Sequence, residues 1–319
     1  MHPHGGMSNY LMCYKRGMKS MSRVRNKIRY EYEIMKTNFN RLSTRWIRQP
    51  TVIGMSETID AIKDRKASIA RYGDGEFDII FGRTEGFQNQ NHELSKRLRE
   101  ILKCNSQSEK FLVGIPDCFG SLEQFTEDAQ LHWRIRLDKE RVKWVRCLNT
   151  KYPYYQAQIT RFYFDWADKS QCAGWYEGLK RIWDGENVIL VEGELSRVGV
   201  GNELFDNATS VRRILCPAEN AFDHYDEILN EICQKANYSD LIFMALGPTA
   251  TVLAYDLFKR GYWAMDAGHI DLEYEWMKQG ASKKTAIKGK YVNEVKGGNV
   301  VDNTSDKEYI SEIIARVGL

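Results

Sequence analysis

The chain has 319 residues, of which 43% are hydrophobic, and its formal net charge is +3. This length can bury a large core, and no run approaches the roughly 20 apolar residues of a membrane span, so the composition favours a folded globular protein. The N-terminus lacks the apolar centre of a secretory signal. The seven cysteines are widely spaced and form no C-x-x-C pair, which indicates reduced thiols in a cytoplasmic protein.

Positive charge is concentrated at the N-terminus. Residues 1–50 contain 11 Lys and Arg and two acids, whereas the rest of the chain contains 35 basic and 41 acidic residues. Two interpretations of this basic arm stay open: an amphipathic helix that contacts the inner face of a membrane or an acidic partner, or a solvated leader. No nucleic acid is expected as a partner, because the remainder is acidic and lacks a nucleic-acid motif.

Short apolar runs alternate with helical patterns after residue 60. Six runs predict strands, at 66–73, 110–117, 187–194, 211–217, 240–247 and 262–268. Helical patterns follow the later runs, at 196–208, 221–236 and 248–260. Because parallel strands need crossover connections, this alternation predicts an α/β fold with a Rossmann-like, doubly wound and mostly parallel sheet over residues 51–319. The aromatic-rich stretch 120–186 is expected to be a helical or irregular insertion beside the sheet.

Asp74 and Glu76 follow the first predicted strand and are flanked by Gly73 and Gly75. One interpretation is that Asp74 caps a helix and that Glu76 lies near its positive end. The other is that the loop stays extended, so that both carboxylates point the same way and share a divalent cation while the glycines leave room for an anion. The residues alone leave both interpretations open.

A second acidic group follows the last predicted strand. It contains His269, Asp271, Glu273 and Glu275, and helical spacing would pair His269 with Glu273 and Asp271 with Glu275. Asp271 and the two glutamates would equally suit the first turns of an ordinary helix.

Two further strand ends suit a phosphate. Gly247 and Thr249 lie where an apolar run becomes a helix, and free backbone N–H groups and hydroxyls at such a point bind anions. Arg197 and Asn202 follow another strand, where an arginine could hold a phosphate through two hydrogen bonds or could pair with Glu194.

Five segments, taken in this order, resemble the bacterial GT-D fold glycosyltransferases. They are RYGDGE, VEGELSRVGVGNELF, CPAENAFDHY, ALGPTATVLAYDLF and AMDAGHIDLEYEW, within about residues 52–290. The resemblance implies a Rossmann-like fold of the GT-D type and a nucleotide-sugar donor such as UDP-glucose. It also implies a divalent cation and a D-x-E motif required for activity, here Asp74-Gly75-Glu76.

The chemistry of sugar transfer suggests a role for each candidate residue. Asp74 and Glu76, with His269 as third ligand, are expected to hold a divalent cation, and the imidazole favours Mn²⁺ over Mg²⁺. If the anomeric configuration inverts, a general base for the acceptor is expected among Glu273, Glu275 and then Asp271. If it is retained, the same residues would instead steady the cation-like sugar, and the sequence leaves both outcomes open. The nucleotide sugar is expected to contact the following residues: Arg71, Gly73, Arg161, Arg197, Asn202, Gly247 and Thr249.

The acceptor is expected to be a bacterial surface glycan or the glycan of a glycoprotein. Its side of the site could be formed by aromatic residues within 150–166, although aromatic density of this kind more often forms core. Two other functions remain open: a non-catalytic nucleotide-sugar-binding subunit of a glycan assembly complex, and a metal-dependent nucleotide phosphohydrolase.

Overall fold

A computed structural model of the protein describes residues 46–84, 86–292, 294–302 and 304–319, together with Glu31, Tyr32 and Met35. The basic arm predicted at residues 1–50 lies almost entirely outside these described residues. Its contact with a membrane or a partner therefore stays a prediction.

The fold is built around one eight-stranded sheet. Its strands are β1 (Ser68–Arg71), β2 (Phe111–Ile115), β3 (Tyr155–Gln156), β4 (Asn187–Gly193), β5 (Ser210–Cys216), β6 (Leu241–Ala245), β7 (Trp263–Asp266) and β8 (Ile313–Arg316). In space they follow the order β3-β2-β1-β7-β6-β4-β5-β8, and every pair of neighbours is parallel. The predicted Rossmann-like α/β architecture is confirmed, and all six predicted strands are present.

Helices connect these strands. They are α1 (Met55–Arg65), α2 (Asp74–Ile80), α3 (His92–Ile101), α4 (Glu127–Cys147), α5 (Cys172–Trp183), α6 (Tyr225–Lys235), α7 (Pro248–Lys259), α8 (Ile270–Lys278) and α9 (Lys307–Glu312). β6 is a continuous apolar run, as expected for a parallel strand that is covered on both faces. α7 begins with proline, whose fixed φ and missing N–H suit the first helical position.

The helix predicted over 196–208 is wrong. In the structure these residues form consecutive turns. Arg197 has φ +48°, and Gly199 and Gly201 both have φ +75°, so the backbone enters the left-handed region three times. A right-handed helix cannot continue through such residues.

Two strands were not predicted from the sequence. β3 has two residues and β8 has four, which is too short for a clear alternating pattern. β3 lies inside the stretch 120–186 and extends the sheet beside β2. This stretch also contains α4 and α5, so the predicted insertion is largely helical but contributes the strand at one end of the sheet.

Within the described residues, no helix is long and apolar enough to cross a membrane. The described cysteines are all free thiols, as predicted, and they are Cys104, Cys118, Cys147, Cys172, Cys216 and Cys233.

The order of strands places a crevice near the centre of the sheet. After β1 the chain passes to β2 on one side, whereas after β7 it passes to β8 at the far opposite end. Because β1 and β7 are neighbours, the direction of winding reverses between them. Ligands of open α/β sheets bind at such a reversal, beyond the carboxyl ends of the strands.

Candidate functional site

The Asp74-Gly75-Glu76 motif forms the first turn of α2. Gly73 precedes the helix in an extended conformation, and its N–H donates to Oε2 of Glu76 at 2.6 Å. The expectation of an extended loop is therefore wrong. The interpretation that Asp74 caps the helix is also wrong, because Gly73 occupies the capping position. Residues i and i+2 of a helix do not face each other, so the two carboxylates diverge instead of pointing the same way.

Asp74 faces solvent between basic side chains. Its carboxylate Oδ2 lies 3.0 Å from Nε2 of His132, and 42% of its side chain is exposed. Arg136 donates to the Asp74 carbonyl at 3.1 Å. Burial raises the pKa of Asp74, but the hydrogen bond from His132 and the charges of His132, Arg136 and Arg161 outweigh it, so the pKa lies well below its usual value. Asp74 is thus a carboxylate that stays charged.

Glu76 has the opposite electrostatic character. Burial and the nearby charge of Asp266 raise its pKa to about 7, despite the hydrogen bond from Gly73 and the charge of Arg71. A divalent cation close to Glu76 would favour its charged form. The motif therefore offers one permanent carboxylate and one whose charge depends on its surroundings.

Arg71 is held by the protein itself. Its Nε donates to the Asp266 carbonyl at 2.6 Å, Nη1 to the Ala157 carbonyl at 2.8 Å and Nη2 to Oδ1 of Asp266 at 2.9 Å. A Cβ at residue 268 would lie 2.1 Å from Nη2 of Arg71, and Gly268 has φ +50°, so glycine is required there. Arg71 connects β1, β7 and the turn after β3, which does not support the predicted contact with a diphosphate.

A second charged group surrounds Glu294. Nη2 of Arg161 lies 2.5 Å from Oε1 of Glu294 and 3.3 Å from Nδ1 of His269, and Nε2 of His269 lies 3.5 Å from the same glutamate oxygen. Lys284 also pairs with Glu294. Burial raises the pKa of Glu294, but Arg161, His269 and Lys284 hold it well below its usual value. The charge of Arg161 also contributes to the lowered pKa of Asp74, so this group and the motif interact electrostatically.

Asp271 and Glu275 face each other on α8, as predicted. Asn202 donates through Nδ2 to Oδ1 of Asp271 at 2.8 Å and to Oε1 of Glu275 at 2.6 Å. Asp271 also accepts from the Gly199 N–H at 3.0 Å and from Lys290 at 2.6 and 2.7 Å, and the side chains of Asp271 and Lys290 are each 4% exposed. These residues hold the 196–208 turns against α8.

Glu273 is fully buried on the neighbouring face of α8. Its Oε2 accepts hydrogen bonds from the N–H groups of Tyr163 at 2.9 Å and Phe164 at 2.8 Å, whereas Oε1 has no partner among the described residues. Burial, followed by the charge of Asp165, raises the pKa of Glu273 to about 7. Glu273 therefore anchors the loop that carries Arg161.

Arg197 and Asn202 do not face the crevice as free phosphate ligands. Arg197 is 7% exposed and donates to the carbonyls of Gly289 at 3.0 Å and Asp302 at 2.6 Å. It therefore connects the 196–208 turns to the C-terminal segment. The predicted role of these two residues in nucleotide binding has no support from their contacts.

The start of α7 is covered by the segment 86–90. A Cβ at Gly247 would lie 2.1 Å from the ring of Phe87, and Thr249 is fully buried with Oγ1 3.5 Å from Oε1 of Gln88. Gly247 is thus required by the close approach of Phe87. Contact of this strand end with a phosphate stays a prediction and would require this segment to move.

The aromatic residues of 152–166 are mostly core. Tyr154, Tyr163 and Trp166 are buried, and the hydroxyl of Tyr154 donates to the Leu102 carbonyl at 2.8 Å. Tyr152 is 49% exposed. Arg161 is the member of this stretch that reaches the crevice.

The described residues contain no group of three or more His, Cys, Asp and Glu side chains that could hold a metal ion. His269 therefore does not complete a three-ligand set with Asp74 and Glu76 in this arrangement. Mg²⁺ and similar ions are often held by one or two carboxylates together with substrate phosphates, and the half-exposed Asp74 offers one such carboxylate. The metal assignment stays a prediction.

The sequence reasoning missed several residues of this site. His132 and Arg136 lie one turn apart on α4, and that spacing in a basic stretch was the available signal. Asp266 ends β7, where an acid at a strand end could have been noticed. Glu294 belongs to no motif, and only its ion pairs in the structure show that it is part of the site.

Comparisons with known proteins agree on one family. Residues 69–295 match the family described as "Glycosyltransferase GT-D fold". The chain is 38% identical over 271 residues to the "Probable glycosyl transferase Gly" of Streptococcus gordonii, covering 85% of this chain and 39% of that protein. It is 39% identical over 266 residues to "Glycosyltransferase GlyD" of Streptococcus pneumoniae serotype 4, covering 83% and 32%. The chain thus spans less than half of these two relatives.

Solved structures show the same likeness over whole chains. A protein described as "A New Glycosyltransferase (DUF1792) from Streptococcus sanguinis" superposes with a TM-score of 0.81 at 39% identity, covering 84% of this chain and 99% of that one. A structure described by the words "The highly conserved domain of unknown function 1792 has a distinct glycosyltransferase fold" also gives 0.81, at 37% identity, covering 90% and 100%. The chain belongs to the glycosyltransferase GT-D fold family.

Proposed function

We propose that this chain transfers a hexosyl group from a nucleotide-sugar donor of the UDP-glucose type to a bacterial surface glycan or to the glycan of a glycoprotein. One observation carries the proposal. Asp74 is a half-exposed carboxylate just beyond β1 at the central crevice, and His132, Arg136 and Arg161 hold its pKa well below the usual value. Family membership supports the same reaction class.

A divalent cation, Mn²⁺ more than Mg²⁺, would be held by Asp74, and Glu76 could join it only by turning away from the Gly73 N–H. When bound, it would supply positive charge to the diphosphate that leaves the sugar. Arg161 is oriented by Glu294 and by the loop that Glu273 anchors, so its guanidinium is fixed at the crevice before a ligand arrives. A fixed cation of this kind binds phosphate oxygens without reorganising.

The base that accepts the acceptor proton is not assigned to α8. Asp271, Glu273 and Glu275 were the candidates, and each of them accepts hydrogen bonds from protein donors. A base must reach the proton of a bound hydroxyl, and these carboxylates are turned toward the protein.

The test is turnover of the full chain with Mn²⁺ and a panel of UDP-, GDP- and TDP-sugars, with and without glycan acceptors. Release of nucleoside diphosphate that depends on acceptor supports transfer. Phosphate release without acceptor would instead identify a phosphohydrolase, and binding without any turnover would identify a binding subunit.

A peripheral contact with the cytoplasmic membrane face is proposed for the basic residues 1–50. Removal of residues 1–45 is expected to leave turnover in solution nearly unchanged and to reduce cosedimentation with anionic phosphatidylserine vesicles. Equal cosedimentation of the full and shortened chains would refute this contact.

A further inference from the structure

A surface cavity of about 370 Å³, widely open to solvent, lies at the carboxyl ends of β2 and β3. Its lining includes Asp117, Gln124, Gln156, Trp166 and Trp175, together with the start of α1. This volume falls within the range of roughly 300–1,000 Å³ that is typical of small-molecule sites. No residue assigned to the nucleotide or the metal lines the cavity.

Asp117 is a partly buried carboxylate in this lining. Among the described residues, none donates a hydrogen bond to its carboxylate or forms an ion pair with it, and burial raises its pKa. Gln124 fixes the backbone here by donating to the Asp117 carbonyl at 3.1 Å. A carboxylate that loses water without a protein partner is costly, so a ligand hydroxyl would satisfy it.

Two mostly buried indole rings contribute only their small exposed parts to the cavity wall, since Trp166 is 8% exposed and Trp175 is 9% exposed. The ring centroids of Trp166 and Trp175 are 4.7 Å apart, with 59° between the planes. Trp166 is fixed from behind by Phe125, at 5.2 Å between centroids, and by its hydrogen bond of 3.0 Å to the Arg161 carbonyl. Rigid aromatic rings beside carboxylate and amide groups match a sugar, which presents apolar C–H faces and a rim of hydroxyls.

The cavity and the motif follow neighbouring strands. β1 and β2 are paired so that Arg71 lies opposite Gly114. Asp74 lies three residues after Arg71, and Asp117 lies three residues after Gly114. Neighbouring strands are about 4.8 Å apart, so the two chain segments leave the sheet next to each other. The thiol of Cys118 has its pKa raised by burial and also by the charges of both Asp117 and Asp74.

We propose that this cavity binds a hexose ring of the acceptor glycan, with Asp117 accepting hydrogen bonds from sugar hydroxyls and the exposed parts of the Trp166 and Trp175 rings contacting the sugar. This inference rests on the proposed function, since it names the acceptor side of the same crevice. The donor would occupy the side of β1 and β7, and the acceptor the side of β2 and β3.

The test measures sugar binding directly on the full chain, by saturation-transfer NMR with methyl glucoside, methyl galactoside and methyl N-acetylglucosaminide as probes. At least one probe is expected to bind. Asp117→Asn should weaken that binding about tenfold or more, because the sugar hydroxyl then donates to a neutral amide oxygen in place of a charged carboxylate. Trp175→Phe, which keeps an aromatic ring, should also weaken it. Glu123→Gln removes the same charge from an exposed residue of the same loop and should leave binding unchanged.

Absence of binding by all three probes, or equal binding to wild type and Asp117→Asn, would overturn the proposal. Binding of the donor sugar in this cavity would also overturn the proposal. Calorimetry distinguishes that case, because Asp117→Asn would then weaken the binding of UDP-glucose but not the binding of UDP. Failure of the proposed function would give a different result. The wild-type protein would then bind neither UDP nor UDP-glucose, whether or not it bound a methyl glycoside.

Discussion

Two acidic groups at the same edge of the sheet have opposite surroundings. Asp74 follows β1 with 42% of its side chain exposed, whereas Asp271 follows β7 with 4% exposed. Both were predicted as site residues on the same ground, an acid just after a strand. Asp271 accepts hydrogen bonds from Gly199, Asn202 and Lys290, and these contacts close the surface around it.

Asp74 and Asp271 occupy similar locations but have different roles. A strand end determines which edge of the sheet a residue occupies, but its partners decide whether it can meet a ligand. Asp74 has basic neighbours that keep it charged and still leave it open to solvent. Asp271 is paired with a buried lysine. Replacing each aspartate by asparagine should therefore reduce mainly turnover at position 74 and mainly stability at position 271.

The largest effect is expected for Asp74→Asn. Turnover should fall about a thousandfold, because the proposed cation loses its permanent carboxylate next to the leaving diphosphate. The free energy of unfolding should change by less than about 1 kcal/mol, since the carboxylate is half-exposed and its neighbour Arg136 keeps Asp78 as a partner. Nucleoside diphosphate release and urea unfolding measure the two effects. A strongly destabilised variant whose folded fraction stays fully active would show that Asp74 is structural.

Asp271→Asn should give the reverse pattern. The variant leaves Lys290 as a buried charge with a weakened partner, and the free energy of unfolding should fall by about 3 kcal/mol. Activity per folded molecule should stay within a few-fold of wild type. Urea unfolding and turnover of the same samples would decide this. If Asp271→Asn left the stability unchanged but abolished turnover, Asp271 would be a catalytic residue after all.

The sequence predicted the sheet better than the site. β2, β4 and β6 contain continuous apolar runs, which a single sequence reveals directly. Asp74 could be found because an acid follows a strand and a family motif includes it. Glu294 could not be found, because its role depends on Arg161 and His269, which are far away in the chain. The 196–208 turns were missed because positive φ values at an arginine are not visible in composition.

The next prediction concerns how the contribution of Glu273 to the free energy of unfolding depends on pH. Its pKa is about 7 in the folded protein against 4.5 for the ordinary group, so the folded state binds the proton more tightly than the unfolded state. The stability gained is fully present below pH 4.5 and is lost as the pH rises through about 7, on the order of 3 kcal/mol in all. Glu76, with a pKa also near 7, adds a loss of the same sign.

Glu273→Gln isolates this contribution. The amide oxygen can still accept from Tyr163 and Phe164, so the loop keeps its anchor while the titrating group is removed. Urea unfolding at pH 5 and pH 8 should show a smaller loss of stability in the variant than in wild type. Glu123→Gln, at an exposed position, serves as the control. Equal losses in all three proteins would mean that Glu273 does not titrate in this range.

The smallest effect is expected for His269→Ala, which tests how the Glu294 group connects to the motif. If His269 reaches the cation when substrate is bound, the Mn²⁺ concentration for half-maximal turnover should rise about tenfold. His224→Ala is a matched control, since both histidines directly precede a helix at the same edge of the sheet. An unchanged Mn²⁺ requirement with a higher KM for the nucleotide sugar would contradict the ligand role. It would instead assign His269 to positioning Arg161, whose Nη2 lies 3.3 Å from the imidazole.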